Sequence, residues 1–413
     1  MSSQPNFANV CLAEKDLLVH GTPLEYNLQR YIYPALAIFG ILGNALNLTV
    51  LLNKSMRSRS NTFLSVLAFA DIIFLALLFP NIMANYRVFA LNYYFRKFYF
   101  LMKVHLISLA NWCSAVAIWC VIAVCTDRLI GIKSPLYARS NWSSWKLPAI
   151  IIGIVIVSGC VTFYQHFEYE CRTRDFCNNT QVYSRCMSKH SKTWFKHEDN
   201  PYSEHYRSVL SVLFLVYVTL MIIFPIFVLA VLNILLLCAL RQRHRDFELM
   251  NKNDRRTNES QLQKTENRVT ITVAFIVTMF TLTNGPSALV HLAKTTYNWD
   301  EQSVYDATMI CSTLVICGKA SNFILFCLGS KHFRIRLMRL TQKKVNKKID
   351  SLAGTLLPES VSKAIAARRQ SGPSQKSSTS QAPTLAGRQS RTHSTGEHYR
   401  RLSTNPRPSL PTL

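Results

Sequence analysis

Acidic residues are scarce in this sequence: 22 Asp and Glu stand against 47 Lys and Arg in 413 residues, a formal net charge of +25. Charge of either sign is thin as well, at 17% of residues, where soluble proteins carry about 25%. The deficit is concentrated in long stretches with almost no charge, which excludes an ordinary water-facing surface there. Those stretches hold no His, Cys, Asp and Glu cluster with metal-ligand spacing and no nucleophile beside a base. No metal, no cofactor and no enzyme chemistry are therefore expected. Residues 1–30 lack a basic start followed by an apolar core, so no cleavable signal peptide is expected. There is no internal repeat, which disfavours a transporter or channel. No cysteine lies between residues 12 and 112.

What the chain has is apolar length. Hydrophobic residues make up 49%, and a run of about 20 crosses a bilayer as a helix. Seven stretches qualify, roughly 31–53, 62–86, 98–131, 147–167, 208–240, 267–292 and 304–328. They show little polar face, so a soluble helical bundle does not fit. The fourth, "LPAIIIGIVIVSGCVTFYQ", is the cleanest. The third is the most polar, with His105, Asn111 and Asp127, and is expected to be central and screened from lipid. The expected fold class is an all-α membrane protein, a seven-transmembrane helix bundle over 31–328. An extracellular tail over 1–30 precedes it; a short amphipathic inner helix over 329–348 and a disordered C-terminal tail over 349–413 follow.

The positive charge does not read as nucleic-acid binding, because it sits beside alternate spans. Lys54, Arg57 and Arg59 follow the first, and Lys133, Arg139 and Lys146 follow the third. Arg241, Arg243, Arg245, Arg255, Arg256 and Lys264 lie between the fifth and sixth, and "KHFRIRLMRLTQKKVNKK" follows the seventh. Basic loops stay in the cytoplasm. The expected location is thus the plasma membrane, multi-pass, with the N-terminus outside and the C-terminus inside. Phe333, Leu337, Met338 and Leu340 recur at helical spacing among the cations, which suits a helix lying on the inner leaflet of the lipid bilayer.

Eight cysteines fall within spans and are expected to pack as small apolar residues. Cys11, Cys171, Cys177 and Cys186 fall in expected outside segments, where disulfides persist; four cysteines allow three pairings, and all three stay open. Asn178-Asn179-Thr180 in the same outside loop is a glycosylation pattern, at Asn178. The segment around "SGPSQKSSTSQAPT" is too polar to bury a core and is expected to be disordered. Ser371 and Ser403 follow arginine pairs there, as basophilic kinase sites do. Phosphate would put negative charge on the cationic tail, a route to arrestin.

Several dispersed marks occur in order. Gly43-Asn44 lies in the first span, "LAFAD" with Asp71 in the second, and "CTDRLIGIKSPLYAR" with Asp127 and Arg128 ends the third. Pro225 lies in the fifth, "FTLTNGP" with Phe280 and Pro286 in the sixth, and "NFILF" with Asn322 and Phe326 in the seventh. Together they resemble the rhodopsin-like G-protein-coupled receptors over about residues 31–345. The resemblance implies a receptor that binds an extracellular ligand and activates a heterotrimeric G protein. It implies an inner switch in which Glu266 holds Arg128, beside Asp127, until activation opens the groove, with Pro286 as the pivot and Asn322 and Phe326 in the seventh-span motif.

The same resemblance outlines an outer pocket. Asn81 and Asn85 come from the second span, and His105, Asn111 and Ser114 from the third. Tyr217 and Met221 come from the fifth, Asn284, Ser287 and His291 from the sixth, and Thr308 and Ser312 from the seventh. Amine receptors carry an aspartate where this chain has Ala110, and a retinal lysine would replace Ile316, so an amine and retinal are not expected. "NFILF", Asn233 in place of a usual tyrosine and "TNGPSALVH" resemble invertebrate receptors for FMRFamide-like neuropeptides. The expected ligand is thus an extracellular peptide, with another peptide or a small chemosensory molecule as the alternative. Two departures stand out: Lys103 replaces a cysteine that the family bridges to the second outer loop, and Asn284 replaces a tryptophan.

Lys319 is the anomaly. A lysine near mid-membrane costs about 2.5–3.5 kcal/mol unless it is paired. It lies three residues before Asn322, on the same helix face, and the resemblance sets that face against Asp71. In many family members this acid binds sodium. Here Ala117, Gly318 and Lys319 replace polar residues, so the ammonium is expected to take the ion's place, in a network of Asn44, Asp71, Lys319 and Asn322.

Overall fold

The computed structural model describes residues 9–19, 21–53, 58–134, 145–191, 194, 199–251, 257–296 and 301–329, with 334–339, 341–342, 345–346 and 348. The chain separates into two units, Met1–Val345 and Asn346–Leu413. The expected tail over 349–413, with Ser371 and Ser403, lies outside the described residues, and so do the side chains of Glu266, His291 and Phe326.

Seven helices are long and apolar enough to cross a membrane. They are α1 (Pro23–Leu51), α2 (Arg59–Met83), α3 (Tyr93–Lys133), α4 (Lys146–Glu168) and α5 (Glu204–Arg243), then α6 (Thr257–Thr296) and α7 (Glu301–Gly329). All seven coincide with expected spans, and several run on beyond them. The 41 residues of α3 extend about 60 Å at ~1.5 Å each, twice a hydrocarbon core of ~30 Å. Side chains close the starts: Ser58, Asn92 and Ser203 accept from the backbone N–H groups of Asn61, Phe95 and Tyr206, satisfying donors that a helix start leaves open.

Prolines bend the ladder. Wide π-type turns at Leu28–Ile32 and Val218–Ile223 run into Pro34 and Pro225. A proline cannot donate to the carbonyl four residues back, and the wider turn absorbs the loss. For Pro34 that carbonyl belongs to Arg30, and the Tyr86 hydroxyl donates to it at 2.8 Å.

Packing follows the expectation for α3: it touches α2, α4, α5, α6 and the outer strands. The core around it joins Leu67, Val121, Val124, Leu229, Leu236 and Val277. By contrast, 17% of the apolar window of α4 is buried, so α4 sits at the rim. Ile38, Leu42, Ile152, Ile156, Phe227 and Leu282 are exposed, forming an outer surface that suits lipid rather than water. At Gly40 a Cβ would fall 2.9 Å from the Ala320 Cα, so only glycine lets α1 lie this close to α7.

One feature departs from an all-α reading. Strands β1 (Tyr169–Phe176) and β2 (Gln181–Ser188) form an antiparallel hairpin after α4. Cys171 and Cys186 face each other across it and are bridged, and Cys11 bridges to Cys177 at its tip. The four expected cysteines thus use one of the three pairings. Cys177, Asn178 and Asn179 turn the chain with φ of 51°, 53° and 63°, a left-handed conformation that asparagine tolerates best among non-glycine residues.

The hairpin end of α3 has no cysteine before Cys113 to hold this hairpin. Arg96, 4% exposed, does so instead. Its Nε donates to the Val182 carbonyl of β2 at 2.8 Å, and its Nη1 donates to Ala90 at 2.9 Å and to Leu17. The guanidinium also lies 5.0 Å from the centre of the Phe100 ring. Three separate segments meet on one planar fork, which a lysine cannot reproduce. Arg96→Ala strands buried carbonyls at about 1–3 kcal/mol each. The expected result is a melting temperature several degrees lower for purified receptor, with Arg96→Lys failing to restore it; an unchanged melting temperature in both would show that the hairpin is held by other contacts.

Candidate functional site

The centre of the bundle holds a charge pair. Asp71 of α2 is 0% and Lys319 of α7 3% exposed, and the Lys319 Nζ lies 3.0 Å from the Asp71 Oδ1. Asn322 donates to the other carboxylate oxygen at 2.6 Å, and Asn44 of α1 donates to the Lys319 carbonyl at 3.1 Å. The Phe74 ring centre is 4.6 Å from the ammonium, a favourable cation–π contact. All four residues read from the sequence as a polar network therefore meet in one place. Gly318 also has a packing role: a Cβ there would strike Thr283 of α6, so its smallness admits that helix.

At the inner-loop end, Asp127 turns to α2. Arg59 Nε lies 3.1 Å from its Oδ1, and the Ser60 hydroxyl donates to its Oδ2. The sequence motif pointed to Glu266 on α6 as the gatekeeper; that side chain lies outside the described residues. Asn233 of α5 donates to Thr278 of α6 at 2.8 Å, joining those helices.

Toward the hairpin end, a cavity of about 430 Å³ opens between helices. Nine expected residues line it: Asn81, Asn111, Ser114, Tyr217, Met221, Asn284, Ser287, Thr308 and Ser312. Two expected residues are engaged elsewhere. Asn85 donates to Gln29 and to the Asn81 carbonyl, and His105 faces His166 with Nδ1 atoms 2.9 Å apart. His291 has no described side chain. A polar roof above the cavity was not foreseen from the amino acids. Gln29 donates to Glu25 at 2.9 Å and accepts from Asn81 at 3.1 Å, and the Tyr99 hydroxyl donates to Asn81 at 2.6 Å. Glu25 also accepts from Gly21 N at 2.7 Å. The only signal was Thr22-Pro23-Leu24-Glu25, a capping pattern that says nothing of a network.

A lipid-facing seven-helix bundle with a buried mid-bundle ion pair and a cavity toward one end defines a class: a multi-pass membrane receptor. The profile described as Serpentine type 7TM GPCR chemoreceptor Srw matches residues 31–344, and the chain belongs to this family of G-protein-coupled receptors. It is 38% identical to Putative G-protein coupled receptor F59B2.13 of Caenorhabditis elegans, over 82% of this chain and 79% of that one. It is 26% identical to Probable G-protein coupled receptor B0563.6 of the same species, over 75% and 68%. It is 23% identical to Sex peptide receptor-related protein 2, also of C. elegans, over 68% and 63%. A ligand and a heterotrimeric G protein are the partners that membership implies.

Removing one member of a buried pair strands the other, typically at 3–5 kcal/mol. Asp71→Asn is therefore expected to lower the melting temperature and cell-surface level sharply. Asp71→Asn combined with Lys319→Ser should recover much of the loss. A double variant as unstable as the single one would mean that the pair is not what the core depends on.

Proposed function

We propose that this receptor sits in the plasma membrane with its hairpin end outside, binds an extracellular peptide in the 430 Å³ cavity, and passes the signal to a G protein at the opposite end. The observation that carries the reading is the cavity itself, walled by apolar and neutral polar side chains and Lys103, near a hairpin tied by two disulfides. Disulfides persist in an oxidising compartment, which supports the orientation, and Asn178 at the exposed hairpin turn is then a glycosylation site. Multi-pass membership of the family leaves the ligand open between two kinds. The FMRFamide-like reading rests on the sixth- and seventh-span motifs. It requires the ligand's arginine to stay near Glu170, Asp175 and Glu204, since no carboxylate lines the cavity among the described residues. A small chemosensory molecule is the second reading, favoured by the chemoreceptor description of the family.

Inside the bundle, the Lys319 ammonium acts as a built-in cation where relatives of this type hold sodium, and Asn322 and Phe326 relay movement of α7. Arg128 and Glu266 form the inner switch, with Asp127 held by Arg59 in the resting state. Phosphate on Ser371 and Ser403 recruits arrestin.

A peptide library applied to transfected cells with a promiscuous G protein is expected to yield an activating peptide. Responses confined to odorants or amines would remove the peptide assignment. Arg59→Gln should raise ligand-independent signalling about five-fold, the effect of a bias of ~1 kcal/mol; unchanged basal signalling excludes Arg59 from the switch. Agonist binding should be indifferent to replacing sodium with choline, and a clear sodium effect would end the built-in-cation idea.

A further inference from the structure

We infer that the cavity recognises a carboxylate, and that Lys103 is the residue that reads it; this rests on the reading that the cavity is the ligand site. Lys103 lines the cavity, and among the described residues no Asp, Glu, Arg or His does so with it. Among the described residues it makes no ion pair within 4 Å; the Tyr99 ring centre lies 5.9 Å from its Nζ. An ammonium offers three donors and no acceptor, so Lys103 presents unspent donor capacity to the space beside it.

The nearest described acid does not meet this demand. Glu25 influences Lys103 through space, but it makes no ion pair with it within 4 Å and is held in the roof, its two oxygens accepting from Gln29 and from the Gly21 backbone at 2.9 and 2.7 Å. The neutral roof groups are committed to one another as well, Tyr99 to Asn81 and Asn81 to Gln29. What the described wall offers is one cation, set in a lining that mixes Leu77, Leu78, Leu106, Ile107 and Met309 with neutral polar groups such as Ser114, Ser287 and Ser312. In such a low-dielectric setting a charge-assisted hydrogen bond is roughly twice as strong as a neutral one. The complementary occupant is an apolar body ending in a carboxylate. Its source is either a peptide with a free C-terminus or a small organic acid, and an amidated peptide end would leave the ammonium unmet.

Purified full-length receptor is tested by thermal shift with matched acid and amide pairs. These are octanoate with octanamide, 3-phenylpropionate with 3-phenylpropanamide, and acetyl-Arg-Phe as free acid and as amide. At least one acid is expected to stabilise wild type with about tenfold higher apparent affinity than its amide. The preference should collapse in Lys103→Gln and persist in Lys103→Arg. Which acid wins separates the peptide source from the small-molecule source. Equal or better stabilisation by amides, a preference that survives Lys103→Gln, or no stabilisation by any acid overturns the inference. Ser114→Phe, which fills the cavity, separates the two failures. Acid stabilisation that survives Ser114→Phe means that the cavity is not the site. Stabilisation that Ser114→Phe abolishes, but without preference for acids, means that only the carboxylate assignment is wrong.

Discussion

The bundle depends on one demand that lipid makes and water does not: every interior charge must be answered by a neighbour, because no solvent is there to do it. Asp71 and Lys319 answer each other across α2 and α7 at 3.0 Å. Asn44 and Asn322 complete the arrangement from α1 and α7. Four side chains thereby register three helices, while the surrounding apolar contacts are far less selective about which turn meets which. The close approach at Gly40 and Ala320 fixes the spacing that lets Asn44 reach the Lys319 backbone.

The same rule governs the hairpin end, with different parts. Without a cysteine at the hairpin end of α3, the hairpin is joined to that helix by Arg96, and to the N-terminal segment by Cys11–Cys177. The N-terminal segment is then a structural member of the hairpin end: Leu17 accepts from Arg96, and Glu25 and Gln29 roof the cavity. Disulfides and hydrogen bonds together frame a space between α1, α2, α3, α5, α6 and α7. At the end away from the hairpin, Arg59 and Asp127 of α2 and α3 form a partly buried ion pair.

Much of this was legible in the amino acids alone. Seven apolar runs, the basic loops and the motif residues defined the bundle, because crossing a bilayer imposes length and composition on each segment separately. The isolated lysine of α7 was legible for the same reason: a lone charge in such a run demands a partner, and Asp71 was the other deep charge. Nine of twelve expected pocket residues line the cavity, as the resemblance to rhodopsin-like receptors implied.

Tertiary structure alone decided what depends on two segments meeting. Arg96 reads as one more basic residue near a helix start, and Glu25 as part of a cap, until Val182, Leu17 and Gln29 are brought to them from elsewhere in the chain. The choice of Cys11–Cys177 over the other pairings, the turn of Asp127 toward Arg59, and the departure of Asn85 and His105 from the cavity are of the same kind. Local sequence fixes which groups need partners; distance in space selects the partner, and no periodicity along one helix carries that information.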